Sequence, residues 1–353
     1  MKIDQVFNEP ADKAGRIVTP YIIAEIGVNH EGDFNLATRL IAEAAEAGAD
    51  AVKFQTYKAE TLASRKSPAY WDISKESTRS QFELFKKYDG FWKKEYEKLK
   101  LICDDNNVDF MSTPFDKESA DFLNDMMDIF KIASADITNK PLVQQIASFK
   151  KPVLLSTGAS NPDEIDTAIG WIREVHSEKL ALLHCILNYP TDNKNANLGM
   201  IKGLQSRYPD CIIGYSDHTL PDDMQVLELA TLLGARILEK HFTHEKTLPG
   251  NDHYHAMDKY DLEKFNSRLQ SIQQLLGSYE KAAIPSESPA REHARRSLVA
   301  ATSIPAGTVL RAEHLISKRP AHGISPVEID GVLGRTASVD INEDDLLSWN
   351  QLS

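Results

Sequence analysis

Apolar residues over the first three quarters of the chain fall into short runs separated by longer amphipathic stretches. The runs are "YIIAEIGV", "AVKFQTY", "DFMSTPF", "IFKIASAD", "PVLLSTG", "LALLHCIL", "CIIGYSD" and "RILEKHFT". Each has strand length and few charges, as expected of parallel strands covered on both faces. Between them, stretches such as "NLATRLIAEAAEAGA", "FWKKEYEKLKLICDD", "PDEIDTAIGWIREVHSE", "DDMQVLELATLLGA" and "DKYDLEKFNSRLQSIQQLLG" predict helices. Several carry Asp or Asn near the start and Gly at the end, which start and stop helices. A doubly wound open sheet would place a Gly-rich nucleotide turn after its first strand, and "GVNHEGD" is not GxGxxG. Eight strand–helix units over roughly 250 residues predict an α/β fold of the (β/α)8 TIM-barrel type. The connection after the second strand, residues 58–89, is unusually long and contains Tyr70 and Trp71, as a lid would require.

After Gly277 the pattern changes. The polar stretch 279–296 reads as a linker, which sets a barrel domain at 1–278 and a second domain at 297–353. The latter holds short β-like pieces with an internal echo. Ile304, Leu310 and Leu315 recur in spacing as Ile341, Leu347 and Leu352, so two similar strand–turn–strand units are expected.

Composition narrows the function. Net charge is −12 with no basic block, which argues against a nucleic-acid surface. No apolar run reaches membrane-spanning length, and the polar "MKIDQVFNEPADKAGR" lacks a secretory signal core. The scattered Cys103, Cys185 and Cys211 read as reduced thiols of a cytoplasmic protein.

Candidate chemistry follows from where a barrel keeps its site, at the C-terminal ends of the strands. Strand alternation puts Gly214, Ser216 and His218 on one face, and Glu239, His241 and Thr243 on one face of the next strand. His218 and His241 can therefore meet at the mouth, where imidazole suits Mn, Fe, Co or Zn. Glu239 is placed to orient a ligand from behind. His244, His253 and His255 follow in a loop and read as loop or substrate-contact residues. Further polar residues on the strands are Glu25, Lys53, Gln55, Ser112, Thr113, Lys131, Ser134, Asp136, Ser156, His184 and, just beyond, Tyr189. Two lysines with several hydroxyls suit a phosphate and a carboxylate. Lys131 and Ser134 have opposite parity, so a strand end or bulge must intervene if both face inward. These residues alone leave three readings open: a metal-assisted enzyme for a small phosphorylated acid, a class-I lysine aldolase, and a non-catalytic sugar-binding protein.

The ordered set "AEIGVNHEGD", "VKFQT", "STPFD", "FKIAS", "LSTGAS", "GYSDHTL", "LEKHFT" and "KRP" resembles the sialic acid synthase (N-acetylneuraminate synthase) family, which includes legionaminic and pseudaminic acid synthases. The resemblance covers nearly the whole chain, and the second domain is similar to the family's antifreeze-like SAF (β-clip) domain. It implies metal-assisted condensation of phosphoenolpyruvate with an N-acylmannosamine-type sugar to a nine-carbon 2-keto acid and phosphate, with C–O cleavage. N-Acetylmannosamine is the first choice of sugar; a 2,4-diacetamido-trideoxy hexose is the alternative, and a 6-phosphorylated sugar a third. It implies a divalent metal, typically Mn2+ (Mg2+ or Co2+ in its place), on His218 and His241. Phosphoenolpyruvate contacts match Lys53, Thr113, Lys131, Ser134, Ser156 and Ser216, and sugar contacts match Gln55, Tyr189 and Asp252. Catalytic carboxylates match Glu25 and Asp136. The family's domain-swapped homodimer implies that Arg319, in "KRP", reaches the sugar bound by the partner. Leu187, where sialic-acid-specific members often carry Asn, suggests a less polar sugar.

Overall fold

Each apolar run becomes a strand: β1 Tyr21–Gly27, β2 Ala51–Thr56, β3 Asp109–Pro114, β4 Phe130–Ile132, β5 Val153–Ser156, β6 Leu180–Cys185, β7 Ile212–Asp217 and β8 Ile237–His241. The computed structural model describes residues 2–8, 17–175, 179–250 and 252–353. The strands are hydrogen-bonded in the order β3-β2-β1-β8-β7-β6-β5-β4, all pairs parallel, and β3 packs beside β4 to close the ring. The helices Phe34–Glu46, Lys93–Asp105, Lys117–Asn124, Lys140–Ser148, Pro162–Arg173, Gly199–Arg207, Gln225–Leu232 and Lys259–Leu276 follow the strands in turn, so the barrel is of the (β/α)8 type.

Helix starts follow from local chemistry. Asp33 accepts from the Asn35 and Leu36 amides, Asp116 from Ser119, and Asp258 from Asp261, each satisfying amides that the first turn leaves unpaired. The helix from Pro162 is described to Arg173; the end expected for it, His176–Glu178, lies outside the described residues.

Strand alternation divides the core in two. Ile22, Ala24, Val52, Phe54, Phe110, Ile213, Tyr215 and Leu238 face the helices and meet Leu40, Ile41, Leu99, Val143, Ile146 and Phe265. Ile23, Ala51, Met111, Leu154, Ala181, Leu183 and Ile237 face inward and fill the lower barrel. The N-terminal stretch, which had no assigned element, contains the helix Lys2–Asn8; its Ile3 is fully buried against that inner set. One end of the barrel is thus plugged with apolar side chains and the other is left for polar ones. Gly214 sits on the inward face where a Cβ would come within 2.5 Å of the Ile237 carbonyl oxygen and of Leu183, so the close approach of β7 to its neighbours requires glycine.

The chain divides into compact units at 1–279 and 280–353. The stretch 279–296 carries a short turn, Pro285–Glu287, and the helix Ser288–His293. In the second unit β9, Ser297–Ala300, pairs antiparallel with β10, Leu315–Lys318. The sequence echo is realised in space. Ile304 pairs directly with Ile341, and Leu310, Leu347 and Leu352 share one core with Leu298 and Ile324. Each half also ends in a matching 3-10 turn, Ala312–His314 and Trp349–Gln351. Among the described residues no helix is long and apolar enough to cross a membrane.

Candidate active site

Above the apolar plug the inward positions turn polar. A cavity of about 540 Å³ opens at the C-terminal ends of the strands, within the usual size of a small-molecule site. Glu25, Lys53, Gln55, Thr113, Lys131, Ser134, Asp136, Ser156, Tyr189, Ser216, His218, His241 and Asp252 all line it, as does Glu239. Arg319 belongs to the second unit, on an exposed segment just after β10. Ser112 and His184 are not in the wall. They occupy alternate positions that face outward, where Ser112 bonds Thr56 Oγ1 (2.6 Å) and His184 Nε2 the Ala196 carbonyl (2.8 Å). Their strands instead present Thr113 and Cys185 to the cavity. The parity conflict between Lys131 and Ser134 is resolved by a strand end. β4 stops at Ile132 and a 3-10 turn, Ser134–Asp136, brings Ser134 and Asp136 round to the mouth.

At the floor two lysines and two carboxylates interleave. The register sets Glu25 beside Lys53 on β2 and beside His241 on β8. Lys53 Nζ lies 2.6 Å from Glu25 and 3.8 Å from Glu239, and donates to Thr113 Oγ1 (2.9 Å). Lys131 Nζ lies 3.3 Å from Glu239, which also accepts from Ser216 (3.0 Å). Gln55 donates to Glu25 (3.0 Å) and Ser134 Oγ accepts from the Gly158 amide (2.9 Å). Ser156 Oγ is buried without a hydrogen-bond partner among the described residues.

These contacts separate the two carboxyls. Burial pushes Glu25 up to about 7, with Glu239 adding to the rise and Lys53 opposing it. Burial also acts on Glu239, but Lys131 and Lys53 outweigh it and hold that carboxyl below its ordinary range. Burial pushes Lys131 down, and Glu239 only partly offsets this. Burial likewise raises Asp136, against a hydrogen bond from Asn139. The site thus contains one carboxylate fixed in the charged state and another able to exchange a proton near neutrality.

Beside this floor stand the histidines. Burial pushes His218 down to about 4 and His241 well below its ordinary value, His255 and His218 adding to the latter, so both rings are neutral around pH 7, as ligands must be. His218 Nδ1 donates to the Ile186 carbonyl (2.9 Å), which leaves Nε2 as the ring's acceptor. His241 Nδ1 is buried without a hydrogen-bond partner among the described residues, 3.9 Å from Asp252 Oδ2. Their ring centres are 5.6 Å apart. Nitrogen donors with a carboxylate nearby fit a divalent first-row ion. Of the other histidines in the loop, His253 lines the cavity and bonds Thr243 (2.8 Å) and Glu31 (3.2 Å), while His244 is half-buried outside the wall. His255, expected among loop or substrate contacts, is fully buried with its ring centre 5.0 Å from that of His241.

The long connection after β2 forms part of the wall. Leu62, Tyr70, Trp71, Leu84, Phe85 and Tyr88 all line the cavity. Trp71 is fixed by donating to the Glu76 and Thr78 carbonyls (both 3.1 Å), and the helix Gln81–Tyr88 supplies the last three. The stretch's length and aromatics were legible; which apolar groups face the site was not, because an irregular segment has no period to read.

The comparisons with known proteins agree with this architecture. Residues 40–281 match the NeuB family and residues 295–353 the SAF domain. The chain is 36% identical to the N,N'-diacetyllegionaminic acid synthase of Legionella pneumophila, over 96% of each chain. It is 38% identical to that of Campylobacter jejuni, over 92% of this chain and 98% of the relative. It superposes on the N-acetylneuraminic acid synthetase of Leptospira borgpetersenii, solved with citrate, with a TM-score of 0.67 at 36% identity, covering 77% of this chain and 90% of that one. The chain belongs to the NeuB family of synthases and carries an SAF domain at its C-terminal end.

Proposed function

We propose that the enzyme condenses phosphoenolpyruvate with the open-chain form of a 2,4-diacetamido-trideoxy hexose, giving a legionaminic-acid-type nine-carbon 2-keto acid and phosphate. The observation that carries the sugar assignment is the cavity wall. Its only lysines or arginines among the described residues are Lys53 and Lys131, both at the floor, where the reading below assigns them to phosphoenolpyruvate. No further cation is placed for a phosphate at the sugar's far end, which argues against a 6-phosphorylated substrate. Leu62, Leu84, Phe85 and Leu187 offer an apolar surface that suits a deoxygenated sugar. The legionaminic acid synthases among the relatives support the same choice. N-Acetylmannosamine is the second reading, since polar Gln55, Tyr189 and Asp252 in the wall suit either sugar.

In this reading Lys53, Lys131, Thr113, Ser134, Ser156 and Ser216 hold the phosphate and carboxylate of phosphoenolpyruvate. A divalent ion, Mn2+ by family resemblance, would be held by His218 and His241 and would supply Lewis acidity toward the sugar's aldehyde oxygen. C3 of phosphoenolpyruvate bonds to the aldehyde carbon, and Asp136 passes a proton to the aldehyde oxygen as it becomes a hydroxyl. Positive charge at C2 is stabilised by the Glu25–Glu239 carboxylates. Water adds to C2 as Glu25 takes its proton, and the tetrahedral centre collapses to the ketone with loss of phosphate. The C2–O bond breaks, so oxygen-18 placed in that bridge is expected in phosphate. Retention in the keto acid would exclude the route. Phosphate release measured across the three sugar classes, with phosphoenolpyruvate and Mn2+, tests the substrate; a best rate with N-acetylmannosamine would overturn the deoxy-sugar assignment.

The proposed assembly is a domain-swapped homodimer in which the partner's copy of Arg319 donates to the sugar's N-acyl oxygen. Mixing inactive His241→Ala with Arg319→Ala is then expected to restore partial activity after subunit exchange. No recovery despite verified exchange would place the arginine in its own subunit or outside the site.

A further inference from the structure

The metal set read from the sequence has two histidines, and a third stands beside one of them, His241. His241, Asp252 and His255 each offer a ligand atom, and these atoms lie within 4.8 Å of one another. The ring centres of His218, His241 and His255 are 5.6, 5.0 and 6.2 Å apart in pairs. A ring nitrogen about 2.1 Å from an ion puts its ring centre roughly 3.3 Å away, so two rings on one ion stand at most ~6.5 Å apart. All three separations fall within that span.

The position of His255 is also fixed. The loop after β8 returns to its own strand: the Met257 amide donates to the His241 carbonyl (2.8 Å) and the Thr243 amide to the Met257 carbonyl (2.9 Å). The Ala256 amide donates to the His253 carbonyl (3.1 Å), and Tyr254 Oη to the Tyr189 carbonyl (2.7 Å). His255 is therefore held between anchored neighbours, fully buried, and its ring lies 5.6 Å from Tyr189, beside the proposed sugar subsite. Two of the four rings around it, His218 and His241, are the imidazoles read as metal ligands, and the other two are Tyr189 and Tyr254.

We infer that His255 is a third protein ligand, completing with His218 and His241 a three-histidine site for a divalent first-row transition ion. The inference rests on the metal-assisted reading of the site but concerns the ion alone, before any substrate binds. A third nitrogen would hold the ion in the resting enzyme and leave fewer positions for substrate oxygens, favouring Co2+ or Mn2+ over oxygen-seeking Mg2+.

The test is Co2+ binding by the full-length chain without substrates, read by calorimetry and by the visible spectrum of the bound ion. His255→Ala is expected to weaken Co2+ binding at least ~10-fold, since loss of even an outer contact to a ligand costs that much, and to change the spectrum. His244→Ala is expected to match the wild type in both. Should His255→Ala fail to fold by circular dichroism, His255→Gln keeps the side-chain volume and gives the same reading. Co2+ affinity within about twofold of wild type and an unchanged spectrum would overturn the assignment, as would a wild-type chain that takes up no Co2+. Phosphate release on the same preparations separates the two conclusions. Release by wild type together with undisturbed Co2+ binding in His255→Ala defeats the third ligand alone. Loss of Co2+ from the variant with no release by wild type defeats the proposed reaction and supports the ligand.

Discussion

Two buried lysine–carboxylate clusters share strands β7 and β8, and they differ in whether their hydrogen bonding is complete. Lys240 and Asp217 face the helices. Asp217 accepts from Lys240 (2.7 Å), Tyr215 (2.8 Å), the Thr219 amide (2.9 Å) and the Thr219 hydroxyl (3.0 Å), and Lys240 also donates to the Thr219 carbonyl (2.6 Å). One residue away on each strand, Ser216, His218, Glu239 and His241 face the cavity. There the Ser156 hydroxyl and His241 Nδ1 are buried without hydrogen-bond partners among the described residues. A buried polar group left open loses its hydration without compensation, so natural cores close such networks. The closed cluster does structural work; the open one keeps donors and acceptors for something that arrives later.

The largest expected effect is on the open side. His218→Ala and His241→Ala should lower turnover by roughly 10³-fold or more, because ligands and electrostatic stabilisation are lost together. Their melting temperatures without metal should stay near wild type. Steady-state rates and thermal melts check both; a large drop in melting temperature would show that these rings belong to the closed class instead.

Lysine replacement sharpens the contrast. Lys240→Met leaves Asp217 charged and unpaired in the core and should cost about 3–5 kcal/mol of stability. Lys131→Met removes a cation from a site where Lys53 still faces Glu239 (3.8 Å). It should lower kcat/KM by roughly 10²-fold while changing stability by no more than ~1 kcal/mol, as expected when a preorganised charge serves the transition state. Denaturant unfolding beside kinetics reads both numbers. Equal destabilisation by the two substitutions would remove the distinction.

Where the chain is regular, this division was legible in the sequence. Period two along β7 and β8 put Ser216 and His218, and Glu239 and His241, on single faces, and the cavity wall contains all four. The same rule applied to β3 and β6 would have turned Ser112 and His184 outward and found Cys185 instead. Irregular backbone was legible only in part. The parity of Lys131 and Ser134 called for a strand end or a bulge, and β4 does end before the turn Ser134–Asp136, but His255 depends on a loop whose return to β8 is fixed by backbone bonds that carry no side-chain pattern. The N-terminal helix was hidden by its polar residues, since a single buried Ile3 on a short segment makes no readable period.

Acidity distinguishes the clusters next. Glu25 is raised to about 7, chiefly by burial, and must be ionised to accept a proton. kcat/KM should therefore fall about tenfold per pH unit below about pH 7, where the base is protonated, and the residual activity of Glu25→Gln should lack that limb. Asp217 behaves in the opposite way. Burial pushes it up, but Lys240 and the surrounding hydrogen bonds carry it below its ordinary range. A depressed carboxyl contributes stability that is present above its unfolded pKa and lost only as pH falls through the folded one. The contribution of the closed cluster, read as the stability difference between wild type and Thr219→Val, which keeps Lys240 beside Asp217, should thus be flat from about pH 8 down to about pH 5. If that difference shrank in step with kcat/KM, the two clusters would share one titration and the contrast would fail.

The smallest expected effects differ in sign. Thr219→Val keeps the shape of a fully buried side chain but removes a donor to the Asp217 carboxylate. A hydrogen bond to a charged group contributes about 1.5–3 kcal/mol, so the variant should be less stable by that order with substrate KM unchanged. Ser156→Ala removes a buried hydroxyl that has no hydrogen-bond partner among the described residues. None of the described residues is left unpaired by its loss, so stability should hold or rise slightly, by up to ~1 kcal/mol. If that hydroxyl serves phosphoenolpyruvate, however, the KM for this substrate should rise about 5–10-fold, the equivalent of one ordinary hydrogen bond. Measuring melting temperature and KM for both variants decides the matter. The partnerless hydroxyl should matter only to binding and the partnered one only to folding; a destabilised Ser156→Ala with an ordinary KM would mean that an open valence does not mark a substrate contact here.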